Sequence, residues 1–385
     1  MNQYPDIRLS LPSKGRLSEA ALDFLAACGL KVDKPNPRQY AACIPALPGL
    51  TVLFQRPGDI VVSVRDGSVD FGITGIDVVA ERRGENGDVL VLHDALGFGH
   101  CRLCLAVPES WQTVRMVADL ARHSDRLAHS LRVATKFPQL TGDFLTSHGV
   151  TSFTLIQAEG TLEVAPVIGY ADLIADLVSS GQTLRDNRLS PLEDGTILHS
   201  QAALIANRNA LQTRPEALDI ARRLLEFIEA HLRAADHLAV FANMRGPSPR
   251  AIAERIFAQD TLGGLQGPTI SPVVVREDNP NWYAVHIVVY RKQLFQAVAE
   301  LRAIGGSGVV VTPVTYIFEE EPARYRAMMQ AIQEGHHVPA RTTENEQRTV
   351  NQPNNSQTRG KKDENPRRLE RGAKDSPPPA RPNGP

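Results

Sequence analysis

The segment DLVSSGQTL, residues 176–184, carries the groups that a phosphate-binding loop needs. A phosphate binds where several N–H and O–H donors converge, and small residues leave backbone N–H groups accessible. Asp176 precedes the loop, and its carboxylate can accept hydrogen bonds from sugar hydroxyls. The segment predicts a site for a ribose 5-phosphate, although taken alone it also fits an ordinary helix N-cap or turn. The loop residues are Ser179, Ser180, Gly181, Gln182 and Thr183.

A basic turn near the N-terminus is a second candidate for anion binding. IRLSLPSKGRLSEAALDFLAACGL predicts a strand, a turn and a helix, because its apolar residues change from a continuous run to helical spacing. Lys14, Gly15 and Arg16 therefore lie where a strand ends and a helix begins, and anions bind at this edge of α/β sheets. Similar junctions provide Gly72, Thr74, Gly75 and Asp77 in VDFGITGIDVV, Arg102 in GFGHCRL, and Gly160, Thr161 and Glu163 before VAP.

The bulk composition predicts a multidomain cytoplasmic protein. The chain has 385 residues and is 42% hydrophobic, which is enough for two or three cores. Its formal net charge of −1 gives no overall field for nucleic acid or membranes, so we expect neither as a partner and any anion site to be local. No run of 18 apolar residues occurs, and MNQYPDIRLS lacks the apolar segment of a signal peptide.

The pair Cys101 and Cys104 has C-x-x-C spacing but falls within the apolar strand CRLCLAV. Residues three apart in a strand point to opposite faces, and no second C-x-x-C or His pair completes a site. We therefore expect no metal or redox centre at this pair.

Strands and helices alternate through residue 235, which predicts doubly wound α/β units. The helix RPEALDIARRLLEFIEAHLRA then leads to a third unit with the order β-α-β-β-α-β, which is the ferredoxin-like motif. Because such a sheet exposes one face and often pairs with a copy of itself, we expect an assembly or effector module. Residues 336–385 contain almost no large apolar side chains and predict a disordered tail, solvated or in contact with acidic partners.

Several of these segments together resemble the ATP phosphoribosyltransferase family in its long form. The matching segments run in the family's order over about residues 8–314. The sequence departs from the family at Gln182, at the Asn187-Arg188 turn and in FANMRG, residues 241–246. The segments are LPSKGRLSE, RPGDI, DGSVDFGITGIDVV, LGFGHCRLCLAVPE, RVATKFPQLT, EGTLEVAPVIGYADLIADLVSSGQTLRDNRL, GPTISPVV and AIGGSGVVVTPV.

The resemblance implies two hinged lobes similar to those of periplasmic solute-binding proteins. Residues 1–97 with about 191–235 would form the first lobe, and residues 98–190 the second. Residues 236–335 would form the ferredoxin-like regulatory domain, so deletion after about residue 236 is expected to leave a two-lobed protein. A solute-binding protein without catalysis is the alternative, although such a protein would be exported.

The implied reaction is attack by N1 of ATP on C1 of phosphoribosyl pyrophosphate, with Mg²⁺ bound chiefly through the departing pyrophosphate. The resemblance assigns residues 179–183 to the 5-phosphate, Asp176 to the ribose hydroxyls, and Lys14 and Arg16 to pyrophosphate or ATP phosphates. The remaining candidate contacts to ATP are Gly15, Arg56, Gly72, Thr74, Gly75, Arg102, Thr161 and Glu163.

Structural alternatives to these roles remain open. In one alternative, Lys14 and Arg16 only cover a helix terminus. In the others, Arg56 and Glu163 form an ion pair between the lobes, and Gly72 and Gly75 make a turn. Asp172 is expected to be a structural cap rather than a ligand.

The resemblance also implies feedback inhibition by histidine bound between subunits of a homo-oligomer, from dimer to hexamer. In this sequence Thr269 and Ser271 are the residues expected to hold it. The alternative is that their hydroxyls cap a turn beside Pro268 and Pro272, and the departure in FANMRG favours that alternative.

Overall fold

The computed structural model describes residues 7–34, 36, 41–124, 129–158, 160–275 and 281–334. The predicted disordered tail, residues 336–385, lies outside this described part. Within it, the strands form three separate sheets of six, five and four strands. None of the described helices combines the length and apolar character that a membrane crossing needs.

The first lobe is built on the six-stranded sheet. Its order is β2-β3-β1-β4-β11-β5, with β1 parallel to β3 and β4 and with β11 antiparallel to β4 and β5. The strands are β1 (Ile7–Pro12), β2 (Ala41–Cys43), β3 (Leu50–Gln55), β4 (Phe71–Gly75), β5 (Val89–His93) and β11 (Ala202–Asn207). The helices are α1 (Arg16–Ala27), α2 (Pro57–Arg65), α3 (Ile76–Arg82), α7 (Arg208–Thr213) and α8 (Pro215–Ala235).

The second lobe is built on the five-stranded sheet, in the order β10-β6-β9-β7-β8. Two apolar clusters, one containing Leu105 and Val133 and the other containing Ala134 and Ile174, are buried in this lobe. The strands are β6 (Cys101–Pro108), β7 (Leu131–Thr135), β8 (Phe153–Gln157), β9 (Leu173–Val178) and β10 (Leu189–Ser200). The helices are α4 (Val117–Ser124), α5 (Pro138–Ser147) and α6 (Gln182–Asp186).

The boundary between the lobes differs from the predicted position. Strand β10 pairs with β6 from Leu189 to Ser200, so it belongs to the second sheet, whereas the sequence assigned residues from about 191 to the first lobe. The chain returns to the first sheet only at β11. It crosses between the lobes at residues 94–100 and again at Gln201, and the N–H of Ala202 donates to the carbonyl of Phe98 over 2.9 Å. The two crossings therefore run side by side.

The third sheet confirms the ferredoxin-like prediction. Its strands are all antiparallel, in the order β13-β14-β12-β15. Both helices pack on one face through buried residues such as Ile252 and Leu301. The other face exposes Phe241, whose ring stacks on His286 at 4.4 Å. The elements are β12 (His237–Arg245), α9 (Pro249–Phe257), β13 (Thr269–Pro272), β14 (Trp282–Tyr290), α10 (Leu294–Ala303) and β15 (Ser307–Pro313).

A helix that the sequence did not predict follows the third sheet. Helix α11 (Ala323–Glu334) packs on the first lobe, where Met328 is buried in the same core as α8. The guanidinium of Arg324 lies 2.6 Å from the carboxylate of Asp94, at the start of the first crossing segment. The predicted domain of residues 236–335 therefore ends in a helix that belongs to the first lobe, and deletion after residue 236 would remove part of that lobe.

The cysteine pair lies inside β6, as predicted. Burial raises the pKa of Cys101 to about 11 and also raises that of Cys104, so both thiols stay protonated at neutral pH. The described residues contain no cluster of three or more His, Cys, Asp or Glu side chains arranged for a metal ion.

Candidate active site

The turn between β1 and α1 brings basic side chains to the edge of the first sheet. Lys14 and Arg16 are both exposed there, and Arg16 is the first residue of α1. Gly15 is the N-cap and has a φ of 81°, a left-handed conformation that favours glycine. No side chain caps this helix, so its first N–H groups are left for solvent or a ligand.

The starts of α2 and α3 lie at the same edge. Arg56 is the N-cap of α2 and is exposed. The hydroxyl of Thr74 is buried and donates to the carbonyl of Pro57 over 3.3 Å, which ties β4 to the start of α2. The guanidinium of Arg82 lies against Gly58, where a Cβ would come within 2.8 Å of Cζ. Arg82 therefore lies against the first turn of α2.

Asp77 connects the start of α3 to the end of β10. The hydroxyl of Ser200 donates a hydrogen bond to the carboxylate of Asp77. The backbone N–H of Asp77 donates in turn to the hydroxyl oxygen of Ser200 over 3.1 Å. Gly75 leaves room for this carboxylate, because a Cβ there would overlap it. Burial raises the pKa of Asp77, while the hydrogen bonds from Ser200 and from backbone N–H groups oppose the increase. This pair fixes the first lobe to the strand that leads back across the hinge.

Asp176 lies in β9, in the middle of the second sheet. It accepts a hydrogen bond from the N–H of Leu177 over 2.8 Å. Burial raises the pKa of Asp176; the N–H of Leu177 and the charge of Lys136 oppose this increase, and the charge of Glu163 adds to it. The site therefore holds a partly desolvated carboxylate with one cation and one further carboxylate nearby.

The loop of residues 179–183, here called the phosphate loop, follows β9 directly. Gly181 is the N-cap of α6 with a φ of 74°, so the loop turns sharply into the helix. Ser179 and Thr183 are exposed, and their hydroxyls make no hydrogen bond to any described residue. The Gln182 side chain is engaged with its own helix, at 2.6 Å from Asp186. The loop thus presents two hydroxyls that have no internal partner.

Arg185 adds a cation that the sequence analysis missed. Its guanidinium donates to the carbonyl of Ser180 over 3.3 Å and to the side chain of Gln182 over 2.9 Å. It also lies 3.2 Å from the position of a Cβ on Gly181. The sequence could have indicated Arg185, because it follows Gly181 by four residues and residues with this spacing lie on the same face of a helix.

The next turn also departs from the family pattern. Arg188 has a φ of 55°, the left-handed conformation for which the family's usual Asn-Gly turn supplies glycine.

A cavity of about 590 Å³ separates the two lobes. It brings Lys14 and Arg56 together with residues that were not among the sequence-predicted ligands, notably Arg82 and Lys136. Lys136 follows the end of β7, so the rule that identified Lys14 also applied to it. The cavity is lined by Lys14, Arg56, Pro57, Gly58, Asp59, Asp77, Val78, Glu81, Arg82, Lys136, Phe137 and Leu177.

Other candidates have different surroundings. Gly72 is buried beneath α2, where a Cβ would lie 2.5 Å from Ile60, so helix packing explains this glycine better than a turn or a ligand does. Arg102 in β6 pairs in register with Val178, the residue before the phosphate loop. Thr161 is exposed beside the short helical turn Leu162–Val164. Both members of the alternative ion pair, Arg56 and Glu163, are described, and the structure places no ion pair between them.

The carboxylate of Asp172 is hydrogen-bonded within the second lobe. Its carboxylate accepts hydrogen bonds from the N–H of Arg132 at 2.8 Å and from the guanidinium at 2.8 Å. Burial would raise the pKa of Asp172, but these hydrogen bonds and the charges of Arg132 and His129 hold it below its usual value. Asp172 therefore joins β7 to the start of β9.

Thr269 and Ser271 are exposed on β13, the edge strand of the third sheet. They lie opposite His286 and Ala284 of β14. Both stand within the strand rather than in a turn, and neither hydroxyl bonds to a described residue. The two hydroxyls therefore do not cap a turn, which was the alternative to a role in binding histidine.

Comparison with known proteins identifies the family. The family model described as ATP phosphoribosyltransferase matches residues 56–229, and the model of the HisG C-terminal domain matches residues 234–316. ATP phosphoribosyltransferase 2, chloroplastic, of Arabidopsis thaliana is 46% identical over 331 residues, which are 84% of this chain and 80% of the relative.

Two solved structures are also similar. One is the ATP phosphoribosyl transferase (HisG:HisZ) complex from Thermotoga maritima, with a TM-score of 0.46, 25% identity and coverage of 58% of this chain and 98% of that chain. The other is the alkanesulfonate-binding protein SsuA from Xanthomonas axonopodis pv. citri bound to MOPS, with a TM-score of 0.37, 12% identity and coverage of 60% and 73%. The two family models and the identity with the plant relative show that this chain belongs to the ATP phosphoribosyltransferase family, in the long form that carries the C-terminal domain.

Proposed function

We propose that the cavity between the lobes is where this chain, as an ATP phosphoribosyltransferase, joins its two substrates. It transfers the 5-phosphoribosyl group of phosphoribosyl pyrophosphate to N1 of ATP, giving N1-(5-phosphoribosyl)-ATP and pyrophosphate, the first step of histidine biosynthesis. The observation that supports this most is the convergence of cations from both lobes on one cavity, which is also lined by Leu177, the residue after Asp176. One of these cations, Lys136, interacts electrostatically with Asp176. Both substrates carry several phosphates, which such a cavity suits. Because ATP and phosphoribosyl pyrophosphate are made inside cells, we place the reaction in the cytoplasm.

The second lobe is proposed to hold the phosphoribosyl group. The free hydroxyls of Ser179 and Thr183 and the N–H groups around Gly181 bind the 5-phosphate, and Arg185 supplies a positive charge beside them. Asp176 accepts hydrogen bonds from the ribose hydroxyls. Ser180 and Gln182 contribute backbone groups, since the Gln182 side chain is already bonded within α6.

The first lobe is proposed to hold the remaining phosphates. Lys14, Arg16 and Arg56 bind pyrophosphate or the ATP phosphates. Arg82 joins them because it lines the cavity together with Lys14 and Arg56, and Lys136 lines the same cavity from the second lobe. Gly15 permits close approach of the backbone. The further proposed contacts to ATP are Thr74, Gly75, Arg102, Thr161 and Glu163, and Gly72 is no longer among them.

The reaction requires positioning and charge stabilisation rather than a general base. Adenine N1 carries no proton, so its lone pair forms the bond to C1 as the bond from C1 to the pyrophosphate oxygen breaks. Pyrophosphate leaves with that electron pair. The protein's role is to align N1 with C1, to stabilise the positive charge that develops on the sugar, and to neutralise the leaving group.

Mg²⁺ is proposed to arrive with the substrate. It prefers oxygen ligands and commonly binds through substrate phosphates. The described residues bring together no metal-binding cluster of three acidic, His or Cys side chains, so pyrophosphate would supply most of the ligands. Asp176 and Glu163, which interact electrostatically, are two carboxylates proposed to lie near the bound sugar and pyrophosphate. When bound, the ion would neutralise charge on the leaving group.

Pyrophosphate release tests the proposal directly. The protein is mixed with ATP, phosphoribosyl pyrophosphate and Mg²⁺, and each substrate is omitted in turn. We expect release only when both substrates are present. A solute-binding protein would bind one of them with no release in any mixture, and that result would reject the enzymatic proposal.

Replacing Thr183 with Val should weaken binding of phosphoribosyl pyrophosphate. The change keeps the side-chain size and removes one hydroxyl, so the loss should be about 1.5–3 kcal/mol, the range for a hydrogen bond to a charged group. ATP affinity should change much less. Calorimetry of both ligands checks this, with the exposed Thr151→Val in the same lobe as the control. Equal affinities in the two variants would contradict the assignment of the phosphate loop.

Histidine is proposed to inhibit the enzyme by binding at the third sheet of a homo-oligomer, between dimer and hexamer. Thr269 and Ser271 lie on an exposed edge strand with free hydroxyls, where a neighbouring subunit can contact them. The double change Thr269→Val with Ser271→Ala should raise the histidine concentration that halves the initial rate by about tenfold, as expected for losing two hydrogen bonds. If the double variant is inhibited as strongly as the parent, the proposed site is wrong while the catalytic proposal stands.

A further inference from the structure

Helix α5 of the second lobe lacks a cap of its own. Its N-cap, Phe137, has no side-chain acceptor, and Pro138 at the first helical position has no N–H. The next two N–H groups, of Gln139 and Leu140, belong to the turn in which a helix has no internal partners. These two N–H groups therefore need a hydrogen-bond acceptor from outside α5.

The acceptor comes from the opposite lobe. Glu81, on α3 of the first lobe, accepts hydrogen bonds from the N–H of Gln139 at 2.9 Å and from the N–H of Leu140 at 3.0 Å. Each carboxylate oxygen bonds one of the two amides, and a negative charge is favourable at this end of a helix. In the described part of the chain, no cation forms an ion pair with Glu81. The two amides are therefore its only hydrogen-bond partners there.

Both ends of this contact adjoin the cavity. On the first lobe, Asp77 lies one turn before Glu81 on α3 and is bonded to Ser200 at the end of β10. On the second lobe, Lys136 and Phe137 line the cavity immediately before α5. A movement that separates the lobes would break both bonds to Glu81 and would carry Lys136 away from the basic residues of the first lobe.

We propose that Glu81 is a positioning residue that caps α5 across the cavity and thereby latches the two lobes in the closed arrangement. The latch holds Lys136 opposite the basic side chains of the first lobe, such as Lys14. Its benefit for substrate binding rests on the proposed function, whereas the capping contact itself does not.

Hydrogen exchange in the ligand-free protein tests the contact. Glu81→Gln keeps the side-chain shape and one oxygen acceptor, Glu81→Ala removes both, and Glu85→Gln changes an exposed glutamate in the loop after α3 as the control. We expect the amides of Gln139 and Leu140 to exchange about fivefold faster in Glu81→Gln, the size of a lost helix cap, and faster still in Glu81→Ala. Exchange at the start of α5 equal to that of Glu85→Gln would overturn the proposal.

Kinetics separate the latch from general destabilisation. In Glu81→Gln we expect KM for phosphoribosyl pyrophosphate to rise about fivefold while kcat changes less than about twofold, because closure contributes to binding before chemistry. A fall in kcat with unchanged KM would overturn the positioning role. If the parent enzyme releases no pyrophosphate, the proposed function fails, and the exchange experiment still decides whether Glu81 caps α5.

Discussion

Replacing Asp176 with Asn should reduce kcat by about 100-fold, the range for removing one preorganised electrostatic group. The change keeps the side-chain shape and removes the negative charge that we propose stabilises the positive charge developing on the sugar. Affinity for phosphoribosyl pyrophosphate should change by less than about threefold, because the charge acts mainly in the transition state. Steady-state kinetics together with calorimetry of the substrate check both values.

The same substitution should not destabilise the fold. Burial raises the pKa of Asp176 above that of an unfolded chain, so the ionised carboxylate costs stability at neutral pH. This cost is absent at pH values below the usual pKa and is fully present above the raised one. Asn carries no charge, and the variant should therefore unfold at the same temperature as the parent or at a higher one.

Asp172→Asn is the matched control, since both residues lie in or next to β9. Here the pKa is lowered by the contacts to Arg132 that outweigh burial, so the charge contributes stability above the usual pKa and loses it as the pH falls. This variant should lose about 1–3 kcal/mol of stability and keep its turnover. If Asp176→Asn lost affinity and kept turnover, Asp176 would be a ground-state anchor and the proposed role would be wrong.

Local patterns in the sequence were sufficient for the elements that position the site. The change from a continuous apolar run to helical spacing placed β1 and α1, and the β-α-β-β-α-β order predicted the third sheet. Both patterns can be recognised within one element or from elements that are consecutive in the sequence. The lobe boundary failed because β10 and β11 are nearly continuous, and only pairing partners about 90 residues apart in sequence show that β10 joins the second sheet.

The site itself was predictable only in part, for a related reason. Lys14 and Arg56 carry their signal locally, at a strand end or a helix start, and both line the cavity. Glu81 has no such signal, since its partners lie 58 and 59 residues further along the chain. Gly72 gave an ambiguous signal, because a glycine needed for helix packing cannot be distinguished in a sequence from one needed for a ligand.

Helix α11 was missed because its partners are equally distant. Its apolar residues, including Tyr325, Met328 and Ile332, have helical spacing, but they pack on the first lobe after the chain has passed through the third sheet. The carbonyl of Ala331 accepts a hydrogen bond from Arg208 over 2.8 Å, and the N–H of Arg324 donates to Glu229 over 2.9 Å. Helix α11 thus completes the packing of the first lobe.

Ending the chain after Pro322 should therefore destabilise the first lobe rather than the third sheet. Loss of α11 uncovers the apolar surface that Met328 and Ala331 cover, and the ion pair between Arg324 and Asp94 is lost with it. We expect a loss on the order of 4 kcal/mol and a decrease in Tm of about 10 °C, as for a large cavity in a core. Scanning calorimetry checks the decrease in Tm.

Two further variants locate the effect. Ending the chain after Gly335 keeps α11 and should leave Tm unchanged, while Met328→Ala in the full chain should cost about 2–5 kcal/mol. Hydrogen exchange should increase in β5 and α8, which contact α11, and should stay unchanged in β12 and β14. If the truncated chain instead lost protection only in the third sheet, α11 would belong to the domain built on that sheet. In that case the first lobe would be complete without it, and deletion after about residue 236 would again be expected to leave a stable two-lobed protein.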